Sequence, residues 1–287
     1  MVLIPGDNKV QIPELADTED PPAYTPYDTP APSIISGSAA PRDLSSLPSS
    51  SSPSPPNPPP NIPISNPISS SRPVSLSGPL KILDSVSASS SVTLYHHVTV
   101  TGPIKSSSKV NLSDDVTVEG DIKASSSVVL DGGEGKGGVR ILGTVKGSSS
   151  VEMTGDVYVQ VDVKSSSQVV LEGVGGLVKI GGKVDASASV TIRGRVEVGN
   201  VQGSGRVTIE SLDKQRIILG KLNSSGGLEI DGNVEVRNEL KVNGNVKIKG
   251  ELLVHGNFTV NGNVKVDPGS KLILDAKRTI HGTLEDA

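Results

Sequence analysis

Three glycines near the middle of the chain have the spacing of a phosphate-binding loop. Gly133, Gly135 and Gly138 match GxGxxG, which binds dinucleotides when its turn opens a helix whose N-terminal amides contact the pyrophosphate. Here a strand-like stretch, VRIL, follows the glycines, and Lys136 lacks the following Ser or Thr that would hold magnesium. The sequence therefore predicts no nucleotide site and no other cofactor.

The histidines and carboxylates show no catalytic or metal-binding spacing. The chain has four histidines: His96, His97, His255 and His281. The adjacent pair His96 and His97 either points to opposite faces of a strand or lies at a corner, so the two cannot easily share a metal ion. The pair Asp114 and Asp115 falls between strand-like segments, where turn chemistry accounts for Asp. Because cysteine is also absent, we predict no catalytic residue, no metal site and no enzyme activity.

Lysines and serines recur at equivalent places in the repeat described below. The lysines are Lys105, Lys123, Lys146 and Lys164. Serine runs lie at 89–91, 106–108, 125–127, 148–150 and 165–167, and the last four of them directly follow the lysines. Lysines stacked about 5 Å apart repel by on the order of 1 kcal/mol per pair in water. They either splay into solvent, which is the plain interpretation, or bind anions such as an acidic tail or an anionic membrane surface. Turn hydrogen bonds account for the serines, with phosphorylation or ice binding as sharper alternatives.

The positions of apolar residues predict how these side chains are arranged. From Val74 and Leu76 onward, apolar pairs with one residue between them recur every six residues. The clearest positions are Leu228, Val234, Leu240, Val246, Leu252, Phe258 and Val264. Two inward positions in six residues indicate a short strand and a corner, and there is no helical periodicity to supply crossovers. We therefore predict an all-β, three-sided parallel β-solenoid over residues 74–284, with a short C-terminal end at 285–287.

Three hexads make one coil of about eighteen residues, so the predicted solenoid has about eleven coils and is about 53 Å long. The repeat lengthens after the strands that begin at Val128, Val169 and Val207. These inserts contain GGEGKGG, EGVGG and ESLDKQR, and we expect them on one edge of the solenoid, on alternate coils. Tolerated surface insertion explains them, and a binding edge is the alternative.

Residues 1–73 differ sharply from the repeat, since they hold 18 of the 21 prolines. Such a Pro/Ser-rich segment lacks the apolar surface that offsets chain entropy, so we predict a disordered tail. Pro21, Pro22 and Tyr24 belong to PPAY, which resembles the PPxY ligand of WW domains. The N-terminus, MVLIPGDNKV, has no basic region and no long apolar run, which favours a cytoplasmic protein.

The charges of the repeat argue against nucleic acid as a partner. Beyond residue 73 the chain has 24 acidic and 24 basic residues, and the whole chain is only 2% aromatic. Nucleic-acid binding requires a basic surface, and single strands also stack on aromatic side chains. We expect neither feature here.

Two segments, VNGNVKIKGELLVHGNFTVNGNVKV and VTVEGDIK, resemble the repeats of bactofilins, which are polymer-forming bacterial cytoskeletal proteins. The resemblance covers about residues 74–284. It implies a right-handed triangular β-helix that polymerises end to end without a nucleotide, flanked by disordered Pro-rich tails. The Ser-rich corners, the long tail and the number of coils depart from the family pattern. The sequence alone leaves the handedness open.

The leading functional hypothesis is a non-enzymatic structural protein that self-assembles end to end into filaments. No amphipathic helix caps either end of the repeat, so both ends are expected to be open. The contact residues proposed from the sequence are Phe258, Val260 and Val264, in the last regular coils. The alternatives are an adaptor that presents PPAY to WW-domain proteins and, less favoured, a solenoid enzyme acting on carbohydrate.

Overall fold

The computed structural model describes residues 62–133, 137–213 and 215–286. All of them belong to one compact unit that begins at Pro56. The described residues form strands, turns and bends without a helix. The all-β prediction is therefore confirmed.

Short strands dominate the N-terminal half, and longer strands that bend around the corners dominate the C-terminal half. The first strands are β1 (Ile62–Ile64), β2 (Ile68–Ser70), β3 (Val74–Ser77), β4 (Leu80–Ile82), β5 (Val86–Ala88), β6 (Val92–Tyr95), β7 (Val98–Val100), β8 (Ile104–Ser106), β9 (Val110–Ser113), β10 (Val116–Val118), β11 (Ile122–Ala124), β12 (Val128–Asp131), β13 (Val139–Ile141), β14 (Val145–Gly147), β15 (Ser150–Thr154), β16 (Val157–Val159) and β17 (Val163–Ser165). The remaining strands are β18 (Gln168–Ala186), β19 (Val190–Gly203), β20 (Val207–Glu210), β21 (Arg216–Ser224), β22 (Leu228–Val236), β23 (Leu240–Val242), β24 (Val246–Val254), β25 (Phe258–Val260), β26 (Val264–Val266), β27 (Lys271–Leu274), β28 (Arg278–Ile280) and β29 (Leu284–Asp286).

Every strand pairs in parallel with the equivalent strand one coil away. Thus β1 aligns with β4, β4 with β7, and β7 with β10, which builds one sheet that we call face 1. Face 2 begins with β2 and β5, and face 3 begins with β3 and β6. Numbered from Ile62, the described chain makes about twelve coils, and β27, β28 and β29 form coil 12. The three-sided parallel solenoid is therefore confirmed.

The core is a single aliphatic column inside the three faces. In β7, for example, Val98 and Val100 are fully buried while Thr99 between them points outward. The same alternation repeats in nearly every strand, and all buried apolar residues join one cluster. Branched side chains suit this pleated wall, and their removal from water is the main stabilising contribution.

The solenoid begins earlier and ends later than the sequence predicted. Strands β1 and β2 precede Val74 and keep the six-residue spacing, so residues 62–73 belong to coil 1 and not to the tail. Pro63, Pro67 and Pro73 gave this stretch the composition of the tail. At the other end β29 continues to Asp286, beyond the predicted limit of 284. These two extensions explain why the count is about twelve coils and not eleven.

The corners are tight and stack on one another. Gly250 has a φ of 111°, which favours glycine. At Gly256 the neighbouring coil is so close that an added Cβ would lie 1.2 Å from the carbonyl oxygen of Asn238. The three predicted inserts all lie at the corner between face 3 and face 1, after β12, within β18 and after β20. Their predicted placement on one edge, on alternate coils, is therefore confirmed.

Candidate functional site

The aliphatic core is only partly covered at the two ends of the solenoid. Four core side chains of the first coils are half-buried, namely Ile64, Ile68, Leu76 and Leu80. Three side chains of coil 12 are half-buried in the same way, namely Leu272, Leu274 and Ile280. Within the described residues, the strands of coil 1 and coil 12 pair with a neighbour on one side only. In the part of the chain that the structure describes, each end therefore presents both apolar surface and a sheet edge without a second neighbour.

The three residues that the sequence analysis proposed as assembly contacts do not lie at the exposed end of the solenoid. Phe258, Val260 and Val264 are all fully buried. Coil 12 covers them, because β28 aligns with β25 and β29 with β26. These side chains cannot contact a second molecule while coil 12 is in place. The hexad pattern faded before coil 12 because the corner at 267–271 is longer than usual and Arg278 occupies an inward position.

Backbone hydrogen bonds give the two edges different chemistry. Inward residues direct both their N–H and C=O groups toward the following coil: Val86 N donates to Pro103 O at 3.0 Å, and Ile82 O accepts from Thr101 N at 2.9 Å. Outward residues, and the corner residues that follow faces 1 and 2, point to the preceding coil, since Ser89 N donates to Ser70 O at 2.9 Å. At the corner between faces 3 and 1 some N–H groups point the other way, as where Gly78 N donates to His96 O at 2.9 Å. The C-terminal edge is therefore lined by groups of inward residues, and the N-terminal edge by groups of outward and corner residues.

Prolines occupy the N-terminal edge at three of its outward or corner positions. Pro63 is the outward residue of β1, and Pro67 and Pro73 directly precede β2 and β3. Proline has no N–H, so these positions present carbonyl acceptors without the matching donors. The inward residues of coil 12 include no proline. The two ends therefore present different hydrogen-bonding groups, a difference that the sequence did not predict.

Arg278 is a charged residue at a position where the stacked coils carry aliphatic residues. It aligns with the buried Phe258 and is itself exposed. An inward-facing charge on an edge strand weakens pairing with another strand. Arg278 was not predicted as an inward residue, because the hexad pattern of the sequence fades before it.

The four predicted anion-binding lysines lie directly above one another. Lys105 aligns with Lys123, Lys123 with Lys146, and Lys146 with Lys164. We call them the lysine row. Each is the exposed outward residue of its strand on face 2, in coils 3 to 6. The predicted stacking is confirmed, and the anion-binding role stays a prediction.

One lysine of the row has a nearby carboxylate among the described residues. Lys164 Nζ lies 3.2 Å from Asp162 Oδ2. The pKa of Asp162 is lowered, first by the hydrogen bond from the backbone amide of Lys183 and then by Lys164. Asp162 therefore remains ionised, and it neutralises part of the charge at one end of the row.

The serine runs form the corner beside the lysine row, between faces 2 and 3. Successive corners are joined through the backbone, as where Ser126 N donates to Ser108 O at 3.0 Å. Three serines point inward and are buried: Ser106, Ser165 and Ser224. The hydroxyl of Ser165 donates to Ser149 O at 2.8 Å, so its burial is compensated. The turn chemistry expected of these serines is present, and many hydroxyls of the runs face solvent.

The histidine pair and the aspartate pair stack at the corner between faces 3 and 1. His96, His97, Asp114 and Asp115 all have positive φ, between 54° and 60°. His97 Nδ1 contacts Asp115 Oδ2, while His96 Nδ1 lies 3.8 Å from Asp114 Oδ2. The corner placement is as expected for both pairs. No group of three or more His, Cys, Asp or Glu in the described part of the chain is placed to hold a metal ion.

The remaining sequence motifs contribute little geometry. Strand β13 follows the glycine-rich insert, as predicted from VRIL, but Gly135 and Lys136 are outside the described residues. Pro21, Pro22 and Tyr24 of PPAY also lie outside them. Over residues 62–133, 137–213 and 215–286, no helix is long and apolar enough to cross a membrane.

Outward charges in the C-terminal half are paired between coils. Arg193 Nε lies 2.9 Å from Glu210 Oε2, and its Nη1 lies 3.5 Å from Glu172 Oε1, so one side chain links three coils. Lys249 Nζ lies 2.7 Å from Asp231 Oδ2. The hydrogen bond that Lys249 donates to Asp231 raises the pKa of Lys249. These pairs were not predicted from the sequence.

Comparisons with known proteins do not assign the chain to a family. Neither the protein-family models, nor the curated proteins, nor the solved structures contain a match to it.

Proposed function

We propose that this protein is a non-enzymatic structural scaffold that self-assembles end to end into filaments without a nucleotide, as the resemblance to bactofilins implies. The observation that carries the proposal is the partly uncovered core at both ends of the solenoid. Stacking one end on another would bury these aliphatic side chains, at about 25 cal/mol per Å² of apolar surface. It would also give the edge strands their missing neighbours.

The hydrogen-bonding groups favour a head-to-tail junction. In that arrangement the inward N–H groups of coil 12 donate to carbonyls of coil 1, including those of Pro67 and Pro73, just as Val86 N donates to Pro103 O inside the solenoid. None of the three edge prolines has an N–H to donate across this junction. In coil 5, by contrast, Thr144 precedes its strand as Pro67 precedes β2, and its N–H donates to Asp121 Oδ1 of the preceding coil. Two N-terminal edges facing each other would instead set carbonyls and prolines against carbonyls and prolines. A filament built of identical junctions is therefore polar.

Arg278 weakens this junction without preventing it. In a head-to-tail contact it would face the inward residue of β2, Ile68, so its guanidinium has to bend toward solvent or lose hydration. This cost keeps the association reversible. Replacing Arg278 with Leu should strengthen assembly, because it removes the cost of bending or desolvating the guanidinium at the junction. The substitution changes only the exposed end of the solenoid, so it should leave the rest of the fold intact.

The decisive experiment compares two neighbouring substitutions on β27. Leu274 points into the end of the core, and Ile273 points outward and is 40% exposed. We expect the unmodified chain to sediment as concentration-dependent assemblies and to form filaments by electron microscopy without nucleotide. Leu274→Arg should abolish them, and Ile273→Arg should leave them intact.

The assembly of the two β27 variants is interpretable only if both variants remain folded. Circular dichroism and thermal unfolding should show that both variants keep the solenoid, since each changes only coil 12. A concentration-independent monomer at tens of micromolar for the unmodified chain and for Arg278→Leu alike would reject self-assembly. Equal loss of assembly in both β27 variants would show that the end of the core is not the contact.

A further inference from the structure

The lysine row is the largest array of like charges that the described surface stacks in register. Its four ammonium groups recur at the coil spacing, about 4.8 Å, along face 2. The row is bounded on both sides along the axis. Ser87 precedes it, and Asp185, which aligns with Lys164, follows it with its carboxylate 2.9 Å from Lys183 Nζ.

The four lysines of the row repel one another, and the rest of the molecule shows that the fold does not require like charges to be stacked in this way. At outward positions on the other two faces of later coils, Lys179 pairs with Glu197 at 2.7 Å, and Lys247 lies between Glu229 and Asp267. Stacking therefore accommodates opposite charges readily. Four stacked lysines lower the stability of the solenoid, whereas alternating positive and negative side chains at the same positions would raise it.

The borders of the row define the shape of a ligand. On the side of face 3, the serine corners present hydroxyl groups along the whole row. On the side of face 1, the corner carries the carboxylates of Glu119, Asp121 and Asp162. A wide anionic surface such as a bilayer would meet these carboxylates as soon as it touched the lysines. A narrow chain can lie over the lysines and serines and avoid them.

We propose that the lysine row and the adjacent serine corner bind a linear polyphosphate-type polyanion that lies along the solenoid axis. Lysine acts as a point-charge donor to phosphate, and a serine hydroxyl can donate to a second oxygen of the same unit. A phosphate chain offers acceptors along its whole length, so successive coils can each engage it. Face 2 of coils 3 to 6 carries no aromatic side chain. Polyphosphate has no bases to stack, so its binding does not need one. The proposal does not depend on filament assembly.

The binding has a predictable dependence on salt. Each lysine that neutralises a phosphate releases condensed counterions, and four contacts correspond to a slope of about −3 in log K against log salt, by analogy with single-stranded nucleic acid. The affinity should therefore fall by roughly 600-fold for each tenfold rise in salt. A chain long enough to span four coils should bind more tightly than tripolyphosphate, which reaches fewer lysines.

The test measures binding of end-labelled long-chain polyphosphate to the full chain by fluorescence anisotropy at low salt. One variant replaces the row: Lys105→Gln, Lys123→Gln, Lys146→Gln and Lys164→Gln. A matched control removes the same charge from exposed lysines that lie elsewhere: Lys81→Gln, Lys221→Gln, Lys241→Gln and Lys265→Gln. We expect the row variant to lose more than about 30-fold in affinity and the control less than about threefold.

Each other result overturns the proposal. Equal losses in the two variants would mean that binding follows net charge and not the row. Unchanged binding by a row variant that unfolds at the normal temperature would exclude the site directly. Poly-L-glutamate, single-stranded DNA and vesicles containing anionic lipid are the competing ligands. Row-dependent binding to any of these that exceeds the binding of polyphosphate would assign the surface to that ligand instead.

Discussion

Coils 3 to 6 and coils 7 to 11 share one core and differ in how their outer surfaces are charged. In coils 3 to 6, face 2 stacks lysine on lysine. In coils 7 to 11, Arg216 reaches Glu235 at 3.5 Å and Glu251 at 3.0 Å, so one guanidinium links three successive coils. The ion pairs of the later coils therefore contribute to stacking, whereas the lysine row of the earlier coils opposes it.

This difference separates what the fold requires from what the surface is used for. A solenoid coil contacts only its neighbours, so its stability is roughly a sum of internal and interface terms. The aliphatic column supplies the interface term in both regions, which leaves the outward positions free to vary. The later coils use that freedom for ion pairs, and the earlier coils keep an array that only an anionic partner would stabilise.

The largest expected effect tests whether the core is the same in both regions. Val118 in coil 4 and Val236 in coil 10 are both fully buried in β10 and β22. Val118→Asp and Val236→Asp should each destabilise the protein by several kcal/mol, because a carboxylate would be buried without a partner. Urea unfolding of the two variants measures the cost.

The control for this comparison is the outward neighbour, Thr117. Thr117→Asp should cost less than about 1 kcal/mol, as expected for a surface position. Similar losses for Thr117→Asp and Val118→Asp would contradict the inward and outward assignment of β10. A much smaller loss at Val236 than at Val118 would show that the two regions do not share one core.

The sequence predicted the solenoid well because the inward positions repeat so regularly. Two branched residues every six positions specify a strand and a corner wherever they occur, and Leu228 to Val264 followed this rule without interruption. The rule failed at the two ends of the solenoid, where other residues replace the regular pattern of branched residues. Prolines hid coil 1, and Arg278 with the long corner at 267–271 hid coil 12.

The candidate sites were predictable only in part, for a related reason. The lysine row follows directly from the coil period, so counting residues was enough to stack Lys105 on Lys123. The ion pairs of Arg193 and Arg216 join residues 17 to 35 positions apart. Their formation depends on side-chain length and on the direction in which each corner sends the chain. The fading hexad pattern near the C-terminus also does not show which coil is the last to stack on the solenoid.

Removing one positive charge from each region should change the free energy of unfolding in opposite directions. Arg216→Gln removes a guanidinium that links three coils and should lower the free energy of unfolding by up to about 1 kcal/mol. Lys123→Gln relieves repulsion from Lys105 and Lys146 and should leave stability unchanged or raise it by up to about 1 kcal/mol. Chemical denaturation at low salt measures both changes.

Added salt provides the internal control for that pair. Screening should shrink both effects, since each arises between exposed charges. Destabilisation by Lys123→Gln of the same size as that by Arg216→Gln would mean that the lysine stem packs against face 2 and contributes to stacking after all.

The smallest expected effect concerns the carboxylate at the end of the lysine row. Asp162 Oδ1 accepts a hydrogen bond from Lys183 N at 2.9 Å. In the later coils Asn takes the same type of position, since Asn245 Oδ1 accepts from Asn263 N at 3.0 Å. Asp162→Asn should therefore keep the hydrogen bond and remove only the charge. The substitution should cost less than about 1 kcal/mol at neutral pH.

The pH dependence of this cost follows from the direction of the pKa shift. The pKa of Asp162 is lowered in the folded protein, mainly by the Lys183 amide, relative to about 3.9 for an unperturbed Asp. Its charge therefore stabilises the fold above about pH 4, and that contribution disappears as the pH falls through the lowered value. The difference in unfolding free energy between the wild type and Asp162→Asn should shrink as the pH is lowered from 7 toward 3. A difference that stays constant over this range would show that the ionised carboxylate does not stabilise coil 6, and that Asp162 serves the corner in the same way that Asn245 does.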